Sequence, residues 1–97
     1  MPMYVTLFKW TDKGIQNIKD VPQRIEASMK AAESFGGKIH GVYITMGEYD
    51  LVSLGEWPSD EAATTTALAI ASRGNVRTVS MRAFTTAEFA KIAKKLP

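Results

Sequence analysis

The chain has 97 residues, 45% of them hydrophobic, which suits one globular domain over residues 1–97 and leaves too little for two independent cores. It contains no cysteine, so a disulfide framework and a thiolate metal site are both excluded. The net charge of +2 comes from 12 Lys and Arg against 10 Asp and Glu. Lys91, Lys94 and Lys95 supply the excess, and without those three the balance is 9 against 10, a basic end rather than the basic face of a nucleic-acid-binding domain. No stretch approaches the ~20 apolar residues of a membrane span, and Met1-Pro2-Met3-Tyr4 lacks the pattern of a leader, so a cytoplasmic, unprocessed protein is expected.

Residues 3–10 are rich in β-branched and aromatic types without Gly or Pro and predict a first strand. Val5 and Leu7 share one side of it, and Tyr4, Thr6, Phe8 and Trp10 the other. Residues 11–14 break the run, and a short helical turn over residues 15–18 leads to Asp20, a natural N-cap for a helix. Pro22 fits the first turn of that helix, and Val21, Ile25, Met29 and Ala32 form its apolar stripe. Gly36-Gly37 ends it with a residue able to adopt the left-handed conformation.

Residues 38–46 and 49–57 alternate as the arms of a hairpin, with Gly47 at the tip. Pro58 stops the second arm, and Ser59, Asp60 and Glu61 provide the cap and acidic first turn of another helix. That helix is rich in Ala and Thr, so Ala63, Ala67, Ile70 and Ala71 would approach the sheet closely or leave space for a ligand. Residues 76–84 predict a fourth strand. Thr85 and Glu88 have the spacing of a capping box before an amphipathic terminal helix carrying Phe89, Ile92 and Leu96.

This order predicts a ferredoxin-like α+β fold, βαββαβ, with a four-stranded antiparallel sheet, helices on one face and a short C-terminal helix. The aliphatic set Val5, Leu7, Val52, Leu54, Val79 and Met81 is expected under the helices. The other face then presents Tyr4, Phe8, Trp10, Tyr49, Leu51, Trp57, Arg82 and Phe84, an apolar patch that demands a cover. A second copy of the sheet would supply it, as in dimeric α+β barrels, making a homo-oligomer through the aromatic face. A small molecule could share that interface. Single-stranded nucleic acid is disfavoured, because Asp50 and Glu56 flank the strand on which an RNA-recognition sheet carries its basic and aromatic motif.

Several blocks recur together: Asn17-Ile18-Lys19-Asp20 with Pro22 and Arg24, Gly36-Gly37, Gly47-Glu48-Tyr49-Asp50, Asp60-Glu61-Ala62, residues 74–78, and Arg82-Ala83-Phe84-Thr85 leading into Glu88-Phe89. In this arrangement the chain resembles the GYD-domain family, named for a Gly, Tyr, Asp signature. The resemblance implies a ferredoxin-like, oligomeric domain without an established general activity.

No phosphate loop, paired carboxylates or metal-ligand spacing is present, and neither a metal nor a cofactor is expected. His40 is the single histidine, on a strand, sharing by parity a face with Val42 and Ile44. Tyr49 and Asp50 point to opposite sides, so the signature reads as a turn in which Asp50 accepts from nearby N–H groups. Arg82, a cation among aromatics, needs an anion or a ring to stack on, such as Trp10. The functional expectation is a small-ligand site lined by Tyr4, Tyr43, Tyr49, Trp57 and Arg82. The alternatives are a cofactor-independent enzyme of the barrel type, with His40 or Tyr49 as acid or base and Arg82 holding an anionic substrate, and an oligomer with a purely structural or adaptor role.

Overall fold

The computed structural model describes every residue, 1–97. Strands β1 (Met3–Trp10), β2 (Lys38–Ile44), β3 (Leu51–Glu56) and β4 (Val76–Ala83) form one antiparallel sheet in the order β2-β3-β1-β4. Helix α1 (Asp12–Gln16) and a 3-10 turn (Ile18–Asp20) lead into α2 (Val21–Ser34), followed by α3 (Asp60–Ala71) and α4 (Thr86–Ala93). This is the ferredoxin-like arrangement, with β1 and β3 at the centre of the sheet.

Local chemistry accounts for most of the boundaries. Gly36 takes φ +82°, and the amides of Gly36 and Gly37 donate to Glu33 O (3.0 Å) and Ala32 O (2.8 Å), which closes α2 in a Schellman motif. Ser59 caps α3 by accepting from the Ala62 amide at 3.1 Å. Thr85 and Glu88 complete a reciprocal capping box on α4, at 3.0 and 2.9 Å, and the Thr85 amide holds the Glu88 carboxyl below the usual glutamate range. Asp20, expected to cap α2, makes no such bond, because the 3-10 turn already places it near helical geometry (φ −86°, ψ 0°) where a capping side chain does not reach forward.

The two sheet faces are the reverse of the expectation. Tyr4, Thr6, Leu51, Ser53 and Trp57 are buried beneath α2 and α3, while Val79 and Met81 are 46% and 44% exposed and Val5, Leu7, Val52 and Leu54 are half-buried on the uncovered side. The reason lies in the polar tips of the aromatics. The Trp57 indole N–H donates to Thr66 Oγ1 at 2.9 Å and the Tyr4 hydroxyl donates to the Asp60 carboxylate, so both need α3 above them. An aliphatic sheet face has no donors to meet these acceptors on α3. Tyr4 and Trp57 therefore belong to the interior of the subunit, Phe84 stays 52% exposed, and the sheet face left uncovered is the aliphatic one rather than the aromatic one.

Strand β2 also departs from the expected alternation. A bulge between Ile39 and Gly41 inserts His40 as an extra residue opposite β3, so Ile39 and Val42, three apart, both turn toward the helices. His40 instead reaches Glu56 at 2.8 Å, and the parity that grouped it with Val42 does not hold. The hairpin tip is also longer than expected, with residues 45–50 lying between the two strands.

Candidate functional site

Register places Thr6 beside Ser53 on β3 and Ser80 on β4, and Tyr4 beside Gly55, so the middle of the helix-facing surface is floored by small side chains between large ones. Above it, α3 contributes Ala63, Thr66, Ala67 and Ile70, and α2 contributes Val21, Arg24, Ile25, Ser28, Met29 and Ala32. Small residues on the floor and on α3 keep the two layers from closing completely. The result is a cavity of about 100 Å³, partly open to solvent, with Phe8, Trp10, Tyr4 and Trp57 in its aromatic wall. Tyr4 and Trp57 meet edge to face, with centroids 5.8 Å apart and planes at 75°.

The charge balance of the cavity is one-sided. No Asp or Glu lines it, whereas Arg24 and Arg73 do. Arg24 Nη2 donates to Gly14 O (3.0 Å) and Asn17 O (3.1 Å), and its guanidinium lies 5.5 Å from the centroid of the Trp10 ring. Its Nε and Nη1 are buried, and no protein group accepts from them. Burial without an acceptor is costly for a charged donor, which makes this the most polar unmet demand of the interior.

The chain is 33% identical over 91 residues to the "Glutamine synthetase and cystathionine beta-lyase binding protein" of Thermus thermophilus, covering 91% of this chain and 94% of that one. The GYD-domain family model matches residues 4–93. The chain belongs to the GYD-domain family. Solved structures similar to this GYD domain include the leucine response regulatory protein of Mycobacterium tuberculosis (21% identity, TM-score 0.65, 87% of this chain and 51% of that one). Another is 5-chloro-2-hydroxyhydroquinone dehydrochlorinase of Burkholderia phenoliruptrix (14% identity, TM-score 0.62, 84% and 93%). The domain spans about half the length of the regulator. At these identities the structural likenesses establish the fold.

The GYD signature itself is a joint between strands. Gly47 has φ +108° with open space around it, and Asp50 Oδ2 accepts from the Trp10 amide at 2.8 Å while the Asp50 amide donates to Phe8 O at 2.8 Å. Asp50 thus ties the hairpin tip to the end of β1, a neighbouring strand rather than the turn itself. Tyr49 lies in the tip, with Lys9 Nζ 5.2 Å from its ring centroid.

The five residues expected to line a site divide among four places. Tyr4 and Trp57 are in the cavity wall. Tyr43 is 64% exposed on the uncovered face, over Gly41, and Tyr49 is in the hairpin tip. Arg82 lies beside the cavity without lining it, 4.5 Å from the Phe84 centroid and 5.9 Å from that of Tyr4, and donates to the Met3 and Ala83 carbonyls. His40, paired with Glu56, does not line the cavity. The residue missed is Arg24. Its signal was available, because positions 21, 24, 25, 28, 29 and 32 share one side of a helix, and a cation at 24 interrupts an otherwise apolar stripe.

Tyr4 is a donor and not a base. Burial, reinforced by the Asp60 hydrogen bond and charge, pushes its pKa up to about 12, so it stays protonated throughout the physiological range. A raised folded-state pKa means the associated stability is complete below the ordinary tyrosine value of 10.0 and is lost as pH rises toward 12. Denaturant titrations should show the wild type losing more stability than Tyr4→Phe across that interval. Parallel pH profiles would contradict the buried, acid-paired hydroxyl.

Proposed function

We propose that this GYD domain is a homo-oligomeric small-molecule-binding module whose site is the cavity between the sheet and helices α2 and α3. The observation that supports the reading most strongly is the combination of an aromatic wall, a floor of Thr6, Ser53 and Ser80, and a nearby cation, which is the composition of a ligand pocket rather than of a fully packed core. Benzene is a suitable first probe, since apolar cavities of comparable size accept it. Benzene should raise the melting temperature of the wild type and shift the indole N–H signals of Trp10 and Trp57. An Ala67→Leu variant that keeps its circular dichroism spectrum should respond at least about ten-fold more weakly. Equal responses in the two proteins would count against the cavity as the site.

The oligomer is assigned to the uncovered aliphatic face. Val5, Leu7, Val52, Leu54, Val79 and Met81 form its centre, and Lys9, Lys38, Glu56 and Arg77 lie around them, an apolar middle with a polar rim. A second copy presenting the same patch covers it with the symmetry most common among homo-oligomers. A second reading, partner-protein binding, draws on the relative named for binding glutamine synthetase and cystathionine beta-lyase, and the same face would serve it. Val79→Glu should convert a multimeric mass to a monomeric one in light scattering and abolish any co-elution with purified glutamine synthetase. A monodisperse wild-type monomer at micromolar concentration would refute the self-association.

A further inference from the structure

We infer that the cavity selects a carboxylate with a small apolar body, a single-ring or short-chain acid, and that Arg24 is the group that recognises its charge. The inference rests on the cavity being a ligand site and adds the chemistry of the ligand. A guanidinium has five N–H donors, and Arg24 commits the two of Nη2 to the Gly14 and Asn17 carbonyls, leaving those of Nε and Nη1 buried with no protein acceptor. The committed pair holds the group against α1 and the 3-10 turn with Trp10 at 5.5 Å, and because Nε and Nη1 are closed to solvent, a small rotation of the side chain about that anchor brings them to a ligand in the cavity it lines.

Two further features narrow the class. The cavity is walled mostly by apolar side chains and has a volume of about 100 Å³, which suits a monoanion with a compact hydrocarbon body and leaves no room for a nucleotide. No carboxylate lines it, so an ammonium group would be buried without a counter-charge beside two arginines. A zwitterionic amino acid is therefore disfavoured relative to the simple acid.

Phenylacetate, its neutral isostere phenylacetamide and zwitterionic L-phenylalanine separate these possibilities at neutral pH in calorimetric and NMR titrations of the full chain. Phenylacetate should bind about ten-fold or more tighter than either of the others, as expected for a charge-assisted hydrogen bond, and should shift the Arg24 Nε–H signal. Arg24→Gln should erase the preference for the acid over the amide. If that variant does not fold, the wild-type preference and the Nε–H shift decide the matter alone. Binding of the amide or of L-phenylalanine as tight as that of the acid, or an Arg24 signal that phenylacetate leaves unmoved, overturns the inference while benzene binding still upholds the cavity. Failure of all three compounds together with benzene overturns both.

Discussion

Trp57→Ala is expected to lower the stability of the domain by about 3–5 kcal/mol, the range for deleting a large buried aromatic. Trp57 is 4% exposed and forms a core cluster with Tyr4, Ala32 and Ala63. Its ring fills space that two glycines leave open, since a β-carbon on Gly37 would stand 2.3 Å from the indole nitrogen and one on Gly55 2.8 Å from the ring. The neighbours are strand and helix backbone, which relax little, so most of the removed volume persists as a hole. Thr66 keeps its own hydrogen bond to Ala62 O at 3.0 Å, so the loss is dominated by packing rather than by an orphaned hydroxyl. For a domain whose total stability is on the order of 5–15 kcal/mol, that loss takes a large share. Guanidinium unfolding followed by circular dichroism measures it, and a change under about 1 kcal/mol would show that Trp57 is not a core residue.

Gly14→Ala should be destabilising by about 1–3 kcal/mol, although alanine is the better helix former by about 1 kcal/mol. The two effects oppose each other and geometry decides. A β-carbon at position 14 would fall 2.0 Å from the backbone oxygen of Asn75, an atom already accepting from the Thr11 amide at 3.0 Å. No rotamer relieves that contact, so α1 or the start of β4 must move. The movement reaches the cavity as well, because Gly14 O anchors Arg24 at 3.0 Å and Asn75 is part of the lining. The variant should therefore lose both stability and affinity for phenylacetate. Gly47→Ala is the matched control: its φ of +108° carries a backbone penalty of about 1–2 kcal/mol, but nothing stands within 4 Å of the added carbon and Gly47 is not part of the lining. Equal affinities in the two variants would contradict the link from Gly14 to Arg24.

Much of the architecture was legible because it is written in local chemistry. Gly36-Gly37, Ser59 and the Thr85–Glu88 pair each mark a boundary through hydrogen bonds made within a few residues, and the structure makes those bonds. The orientation of the sheet was not legible in the same way. Alternation divides Tyr4 from Val5 but does not say which side meets a helix, and the preference for aliphatics under helices pointed the wrong way. What decides the matter lies outside the strands: Asp60 and Thr66 on α3 accept from Tyr4 and Trp57, 56 and 9 residues away. The bulge at His40 was hidden for a related reason, since an extra residue shifts parity only when the partner strand is known. Arg24 fell between two readings, a family block and a helix stripe, and only its place among Gly14, Asn17 and Trp10 shows that its charge is turned inward.

Crystals held under xenon pressure show whether the space between the sheet and helices α2 and α3 admits a small guest. Xenon has no charge and no hydrogen bonds, so its position reports accessible apolar space alone. Anomalous density is expected among Tyr4, Trp57, Ala63 and Ile70, with lower occupancy in Ala67→Leu. Density confined to the aliphatic face around Val79 and Met81, with none beneath the helices, would show that the cavity does not admit a guest.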